Sequence, residues 1–161
     1  MTDSDGATGA GAWTLCNNAA IRRAARRLGQ LYDDVLAPSG LRGSQFGLLA
    51  QIARADEPTM GALADLMVMD LSALGHTLKP LVRDGLVELV PNPRDRRSKR
   101  VRLTGQGAAK LAEATRLWRE AQRRFEAALG PAEAAAMREA LGRVASPDFA
   151  AAFTSAGGEP G

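Results

Sequence analysis

The sequence predicts a mainly helical protein with one small β-hairpin. Apolar residues recur at helical spacing along most of the 161 residues. Two short runs rich in branched apolar residues, 85–90 and 99–103, flank the breaker Pro91-Asn92-Pro93, which is the pattern of a hairpin. We therefore expect four helices, then the hairpin, then two helices.

The length and composition are those of one globular domain with its own core. A single cysteine excludes an internal disulfide and a cysteine-based zinc site, and a single histidine leaves most metal and acid–base sites without ligands. Since no Ser-His-Asp set, metal cluster or phosphate-binding loop can be assembled, we expect neither an enzyme nor a cofactor. No apolar run approaches the roughly 18 residues of a membrane helix, and the acidic N-terminus lacks the pattern of a signal peptide. We expect a cytoplasmic protein that does not contact a membrane.

The N-terminal part of the chain predicts a tail and two helices. Residues 1–12 are mostly small and polar and are expected to be disordered. Apolar residues then follow at helical spacing over residues 13–36, and Pro38 with its neighbours ends this helix. Ser44 is the expected N-cap of a second helix over residues 45–55.

A short helix followed closely by an amphipathic one predicts a helix-turn-helix. Thr59 is the expected N-cap of a helix over residues 60–67, and Asp70 is that of a helix over residues 71–84. The apolar stripe of the second helix is Leu71, Leu74, Leu78, Leu81 and Val82. Its opposite, polar face is Ser72, His76, Lys79 and Arg83. Followed directly by the hairpin, this pattern is typical of a winged helix-turn-helix.

Two residues of the predicted second helix break helix rules. Gly75 costs about 1 kcal/mol relative to alanine, and Pro80 removes a backbone hydrogen bond at a cost of about 3 kcal/mol. Either both serve internal packing, or Gly75 lets the helix approach a DNA duplex closely while Pro80 aims its first turns into the major groove. In the second case the candidate contacts are Ser72, Ala73 and His76 at base edges and Lys79 at a phosphate. His76 is alternatively an ordinary exposed histidine.

The hairpin tip gathers the positive charge of the chain. Residues 91–104 carry six basic side chains and one acidic one, a net +5, whereas the whole chain is +3 and the remainder is therefore −2. Such a tip is either a solvated turn or a surface that binds a polyanion, and its position after a helix-turn-helix favours the second. The candidate DNA-binding residues of this wing are Arg94, Asp95, Arg96, Arg97, Lys99 and Arg100. Some would pair with phosphates and one would enter the minor groove, while Asp95 would hold the guanidinium of Arg97 by a charged hydrogen bond.

The C-terminal part predicts two helices and a tail. Thr104 is the expected N-cap of a helix over residues 105–129. The regular stripe of this helix is Leu111, Thr115, Trp118, Gln122, Phe125 and Leu129. A Gly-Pro pair separates it from a last helix over residues 132–145, which a Ser-Pro pair ends. Residues 154–161 are expected to form a flexible tail.

Large apolar residues near both ends of the chain predict a homodimer. The middle helices already supply a core, which leaves Trp13, Trp118, Phe125 and Phe149 to pack against something else. A two-fold dimer would hold two recognition helices about 34 Å apart, which is one turn of DNA. The alternative is that both ends close over their own domain.

Two motifs resemble the MarR family of bacterial transcription regulators. Asp-x-Arg at 95–97 followed by Val-x-Leu-Thr at 101–104 is similar to the wing signature of that family. Residues 63–87 resemble its helix-turn-helix and first wing strand, and residues 36–46 resemble the run between its first two helices. The resemblance extends over about residues 15–144.

The resemblance implies an obligate homodimer whose two wings grip a pseudo-palindromic operator in double-stranded DNA. The implied organisation is a single MarR-like domain at 13–153, with dimerisation helices at 13–38 and 105–153 and a winged helix-turn-helix at 44–104. At Leu71, Gly75 and His76 the sequence departs from many relatives, which carry Arg or Thr there. This departure bears on which operator is bound.

The family also implies an effector site. Its members bind small phenolic or carboxylate ligands between the dimerisation helices and the DNA-binding lobe. That region would here draw on Arg22, Arg26, Leu31, Tyr32 and Phe46, although these residues need no ligand if they only fill the core. The resemblance thus implies a repressor that a small aromatic ligand releases from DNA.

Cys16 suggests a different signal. The family's organic-hydroperoxide sensors carry a reactive cysteine early in the first helix, aided by tyrosines. Tyr32 is present here, but Gly43 stands where a second tyrosine would fall, and a buried, inert Cys16 is the simpler interpretation. The alternatives to a ligand-responsive repressor are a thiol-based redox-sensing repressor that uses Cys16 and a winged-helix module that binds an acidic protein.

Overall fold

The computed structural model describes residues 14–157 and confirms a mainly helical fold with a two-stranded antiparallel hairpin. The helices before the hairpin are α1 (Asn17–Leu36), α2 (Gly43–Ala55), α3 (Met60–Met67) and α4 (Leu71–Arg83), and a 3-10 turn, Ala37–Ser39, follows α1. The hairpin consists of β1 (Val87–Asn92) and β2 (Asp95–Leu103). After it come α5 (Gly105–Leu129), α6 (Pro131–Val144) and α7 (Pro147–Ala156).

Three predicted helix starts are confirmed. The side-chain oxygens of Thr59, Asp70 and Thr104 accept the backbone N–H three residues on, at 3.1, 2.7 and 3.0 Å. Each bond satisfies a donor that the first turn leaves without a helical partner. Asp70 therefore fixes where α4 begins, and Thr104 fixes where α5 leaves the hairpin.

The start of α2 differs from the prediction, since Ser44 is not its N-cap. The helix begins at Gly43, after Arg42. The Arg42 N–H donates to Oε1 of Gln45 at 3.0 Å, and the Gly43 N–H donates to Oδ1 of Asp33 in α1 at 2.7 Å. These bonds replace the one expected from the Ser44 hydroxyl, and the second ties α2 to α1.

The start of α1 is set by Cys16, which is its N-cap. The Sγ atom of Cys16 accepts the backbone N–H of Ala19 at 3.5 Å. Trp13, from which the first helix was expected to run, lies outside the described residues, as does the predicted tail at 1–12. The hydrogen bond gives the one cysteine of the chain a structural task.

The C-terminal part contains a helix that the sequence reading missed. Ser146 and Pro147 end α6 as predicted, but they also start α7: the Ser146 hydroxyl accepts the Phe149 N–H at 3.2 Å, and Pro147 is the first helical residue. Proline is well tolerated there because that position has no helical N–H bond to lose. α7 runs to Ala156, so residues 154–156 are helical rather than part of a tail.

The core lies between α2, α3, α4 and the hairpin, with α5 packed against it. Its largest fully buried side chains are Leu36, Leu48, Leu49, Ile52, Leu63, Leu74, Leu78, Leu81, Val87 and Val101. Phe46 joins this core and stacks on Trp118 of α5, with ring centroids 5.8 Å apart. The predicted stripe of α4 is wrong at both ends, because Leu71 and Val82 lie in the terminal turns and are 57% and 39% exposed.

The hairpin is fixed to the rest of the fold along β2. The strands pair antiparallel from Val87 to Pro91, and the register shifts beyond Pro91. On its other side β2 meets the segment before α3: Thr59 forms an isolated bridge with β2, and the Val101 N–H donates to the Pro58 carbonyl at 2.9 Å. The wing is therefore attached to the turn that precedes the helix-turn-helix.

The terminal helices leave much apolar surface uncovered. Leu36 is the only buried residue of α1, although this helix packs along α5. The predicted stripe of α5 is only partly buried, and its last member, Leu129, is exposed. Leu15 and Phe153 are 82% and 74% exposed. The protomer alone thus does not cover the apolar residues near its two ends.

Candidate nucleic-acid interface

One side of α4 carries most of the predicted recognition residues. Ser72, His76 and Lys79 are exposed and Gly75 is half-buried, and their helical spacing puts all four on one side, here called the α4 face. Ala73 is half-buried and lies toward the edge of this face, where its carbonyl accepts the Thr77 hydroxyl at 3.0 Å. The α4 face therefore offers a hydroxyl, an imidazole and an ammonium group beside a residue without a side chain.

Gly75 is not required by internal packing. No heavy atom lies within 4 Å of the position that a Cβ would occupy there, apart from the neighbouring backbone of the helix itself. This removes one of the two explanations for a glycine in mid-helix. α4 also continues through Pro80 to Arg83, so the proline does not end the helix.

Side chains at the tip of the wing organise its own backbone. Oδ1 of Asp95 accepts the Arg97 backbone N–H at 2.9 Å, and Oδ1 of Asn92 accepts the Arg94 N–H at 3.1 Å. The Asn92 amide also donates to the Ser98 hydroxyl at 2.8 Å. The expected hydrogen bond between Asp95 and the Arg97 guanidinium is not formed, because the carboxylate folds back on the turn.

Four wing cations are free of partners. The side chains of Arg94, Arg96, Arg97 and Lys99 are exposed, and within residues 14–157 no hydrogen bond or ion pair holds them. We call these four the free wing cations. Asn92 and Asp95 hold the backbone of the turn that carries them. The four charged side chains are therefore unrestrained by partners, whereas their attachment points are held in place.

Arg100, in contrast, is engaged inside the protein. Its Nε donates to the Glu57 carbonyl at 2.8 Å, its Nη2 donates to the Asp56 carbonyl at 3.4 Å, and its Nη1 lies 3.5 Å from Oε2 of Glu57. Asp56 and Glu57 both have left-handed backbones, with φ of +52° and +57°. Such a conformation costs about 1–2 kcal/mol per residue, so Arg100 clamps a strained turn.

Arg102 is likewise paired. Its Nε lies 2.7 Å from Oε1 of Glu88 on the facing strand, and its Nη1 lies 3.8 Å from Oε1 of Glu57. The hydrogen bond to Glu88 raises the pKa of Arg102. Two of the six basic residues of the wing stretch thus hold the wing in place, and four project from it.

A second feature is a cavity between α1 and α5. It measures about 360 Å³, and its lining includes Leu31, Tyr32, Asp34, Arg124 and Phe125. The Tyr32 hydroxyl donates to Oε1 of Gln122. Burial raises the pKa of Tyr32, so the phenol stays protonated near neutral pH.

The predicted effector residues do not all meet at this cavity. Leu31 and Tyr32 line it, whereas Phe46 is in the core and Arg22 and Arg26 lie along a different side of α1. Arg124, which the sequence reading missed, is the cation of the cavity. Arg124 lies three residues after Ala121 and four before Ala128, and this helical spacing could have placed it on the side of α5 that lines the cavity.

Cys16 lies beside a cluster of arginines. A shallow cavity of about 310 Å³ is lined by the cysteine together with Arg22, Arg23 and Arg26. The thiol is half-exposed and caps the positive end of α1. Within the described part of the chain, no group of histidine, cysteine or acidic residues could hold a metal ion, and no helix is long and apolar enough to cross a membrane.

The geometry defines the class of protein. α3 and α4 form a helix-turn-helix, and the hairpin that follows, with its charged tip, is the wing of a winged helix-turn-helix protein. The model of the MarR family matches residues 39–98. The transcriptional regulator MosR of M. tuberculosis, in a crystal structure with DNA, is 37% identical with a TM-score of 0.75, over 84% of this chain and 98% of that one. The chain belongs to the MarR family.

Other relatives agree with this assignment. The chain is similar to the multiple antibiotic resistance protein MarR of Escherichia coli K12, with 39% identity over 80 residues. That match spans 50% of this chain and 56% of MarR. A MarR mutant from E. coli complexed with operator DNA is 30% identical with a TM-score of 0.72, over 79% of this chain and 91% of that one. The transcriptional repressor CouR bound to a 23-mer DNA duplex is 26% identical with a TM-score of 0.76, over 84% and 96%.

Proposed function

We propose that this protein is a homodimeric, sequence-specific DNA-binding regulator of transcription that works in the cytoplasm. The observation that carries the proposal is the group of free wing cations, which have no partner within residues 14–157 and project beside the exposed α4 face. A cluster of unpaired cations is costly in self-repulsion unless a polyanion meets it. The complexes of MosR, MarR and CouR with DNA support the same partner here.

The contacts divide between two elements. The free wing cations would bind phosphates, with one entering the minor groove, and this supplies affinity without sequence preference. The α4 face would enter the major groove, where Ser72, Ala73 and His76 meet base edges and Lys79 meets a phosphate. Arg100 was predicted to bind DNA and Asp95 to orient Arg97. Both would position the wing rather than contact the duplex, since the Arg100 guanidinium and Oδ1 of Asp95 are engaged within the protein.

The uncovered ends of the protomer support the proposed dimer. Exposed apolar side chains near the two ends, among them Leu15 just before α1, Leu31 on α1 and Phe153 on α7, would be buried between two copies. A two-fold axis there would hold two α4 helices about 34 Å apart and match a pseudo-palindromic operator.

The test uses a DNA duplex that the wild-type protein selects from random double-stranded oligonucleotides. The affinities of wild type and variants for this duplex are then measured. We expect Arg94→Ala combined with Arg97→Ala to weaken binding at fixed salt by at least about tenfold, since each lost charged contact costs about 1 kcal/mol or more. The matched control is Arg116→Ala combined with Arg119→Ala, which removes two exposed, unpaired arginines from α5 and should leave binding unchanged. Failure to select any duplex, together with retention on an acidic protein, would support the protein-interaction module instead.

We further propose that the regulator is a repressor which a small aromatic ligand releases. The cavity between α1 and α5 combines an apolar lining with Tyr32 and Arg124, groups that suit a phenol or a carboxylate. Nε of Arg124 lies 2.6 Å from Oε1 of Glu120, which leaves its other guanidinium nitrogens for a ligand. Benzoate at a hundredfold excess over its dissociation constant should stabilise the free dimer by about 2.7 kcal/mol per occupied site and weaken its binding to DNA. Replacement of Arg124 by alanine should abolish both effects, and their persistence would contradict this site.

Cys16 supports a second candidate, a thiol-based redox switch. The thiol caps a helix N-terminus beside three arginines, and reactive cysteines are found in such electropositive, partly exposed settings. If oxidation controls the protein, hydrogen peroxide should release the wild type from DNA and leave the Cys16→Ser variant bound. Equal responses of the two proteins to peroxide would remove the thiol from the mechanism.

A further inference from the structure

We infer that Leu71 contacts the methyl group of a thymine in the major groove and so sets part of the sequence preference of the protein. This inference rests on the proposed function and adds a chemical specificity to it. Leu71 was expected in the core, yet it is the first residue of α4 and is 57% exposed, whereas the next members of its stripe, Leu74 and Leu78, are 0% and 2% exposed.

Leu71 lies on the same side of α4 as two of the recognition residues. Leu71, Gly75 and Lys79 follow at intervals of four and therefore lie along one side of α4. Gly75, one turn behind the leucine, presents no side chain and has open space around it. The helix backbone can thus come close to a duplex, which brings the leucine down to the base edges at the N-terminal end of the helix.

The turn before α4 holds Leu71 in place. Val68 ends α3 with a left-handed backbone, φ +52°, and its N–H donates to the Asp65 carbonyl at 3.1 Å. The Met69 N–H donates to the Ala64 carbonyl at 2.9 Å, and Asp70 then caps α4. A β-branched residue in this conformation is unfavourable and persists only where its surroundings hold it. The bonds of the turn and the Asp70 cap therefore fix where α4 begins, with Leu71 as its first residue.

The chemistry of the groove identifies the partner. Leucine carries no hydrogen-bond donor or acceptor, so it cannot bind the polar edges of guanine, cytosine or adenine. Thymine is the one base that presents an apolar group in the major groove, its C5 methyl. An exposed leucine among polar recognition residues therefore suits an A·T pair whose methyl group faces α4.

The test removes only that methyl group. Each thymine of the selected duplex is replaced in turn by deoxyuridine, which pairs identically but lacks the C5 methyl, and the affinities of wild type, Leu71→Ala and Val82→Ala are measured. Val82 is the matched control because it is an exposed apolar residue of the same helix, about 16 Å further along its axis.

We expect one position in each half-site where deoxyuridine weakens wild-type binding by about fourfold, the equivalent of ~0.8 kcal/mol for one buried carbon. The Leu71→Ala protein should bind both duplexes equally, and the Val82→Ala protein should keep the loss. Wild-type binding that ignores every methyl group, or a loss that persists in Leu71→Ala, would overturn the inference while leaving DNA binding intact. Absence of any duplex binding would instead overturn the proposed function, and the inference with it.

Discussion

At the scale of single residues, replacing Gly75 should change the stability of the protein and its DNA affinity in opposite directions. Its backbone is helical and its surroundings are open, so Gly75→Ala should raise the free energy of unfolding by about 1 kcal/mol. If the backbone approaches DNA at this point, the added methyl group should cost ~1–3 kcal/mol of binding, as an overpacked contact does. Urea denaturation and titration with the selected duplex measure the two effects.

A control for this pair of measurements is Gly142→Ala in α6, where a Cβ would also meet nothing within 4 Å. It should stabilise the protein similarly and leave DNA affinity unchanged. A Gly75→Ala protein that is more stable and binds equally well would contradict the close approach.

Asp95 allows a second test at this scale. Because its carboxylate accepts a backbone N–H, Asp95→Asn should preserve the turn and bind DNA at least as well as wild type. Asp95→Ala should lose about 0.5–1.5 kcal/mol of affinity with the hydrogen bond. Equal losses in both variants would restore the ion pair with Arg97 that the sequence suggested.

Sequence reasoning succeeds at the residue scale where a rule is local. N-caps at Thr59, Asp70 and Thr104 depend on the three residues that follow, and all three are confirmed. The partners of Arg100 lie more than 40 residues earlier in the chain. No spacing rule connects them, so the sequence placed this arginine with the free wing cations.

At the scale of elements, the wing depends on a clamp. Arg100 holds the left-handed turn at Asp56 and Glu57, and β2 bonds to the same segment through Val101 and Pro58. We expect Arg100→Ala to loosen the wing and weaken DNA binding by about 1 kcal/mol without changing the number of phosphate contacts.

The salt dependence of binding distinguishes this clamp from a contact residue. In Arg97→Ala the slope of log affinity against log salt should fall by about 1.8 per dimer, since each lost phosphate contact contributes about 0.9. In Arg100→Ala the slope should equal that of wild type. A slope that falls equally in both proteins would make Arg100 a phosphate ligand.

The elements themselves were largely predictable, apart from their ends. Helical periodicity identified α1 to α6, and branched residues around a proline-rich breaker identified the hairpin. The sequence missed α7 because a Ser-Pro pair stops one helix and starts another with the same chemistry. Periodicity also assigned Leu71 and Val82 to the core, since a repeat does not reveal how far the neighbouring helix extends.

At the scale of the whole molecule, the exposed ends are the basis of the proposed dimer. Phe153 stacks on Phe149 along α7, with ring centroids 6.2 Å apart, yet it remains 74% exposed. Phe153→Asp should therefore leave the protomer folded and disrupt the dimer, because a carboxylate buried in an apolar interface is strongly disfavoured. Sedimentation analysis should find a monomer, while Leu66→Asp, at an exposed apolar position on α3, should remain dimeric. A dimeric Phe153→Asp protein would exclude α7 from the interface.

The central claim is that two wings with four free cations each grip duplex DNA. Its most direct measurement is the affinity of the wild-type protein for the selected duplex at several salt concentrations. One wing cation per protomer would enter the minor groove, so the other three and Lys79 would make eight phosphate contacts in the dimer. At about 0.9 each, these predict a slope near −7 in log affinity against log salt. A slope near zero, at an affinity that single-stranded DNA of the same sequence matches, would contradict the account.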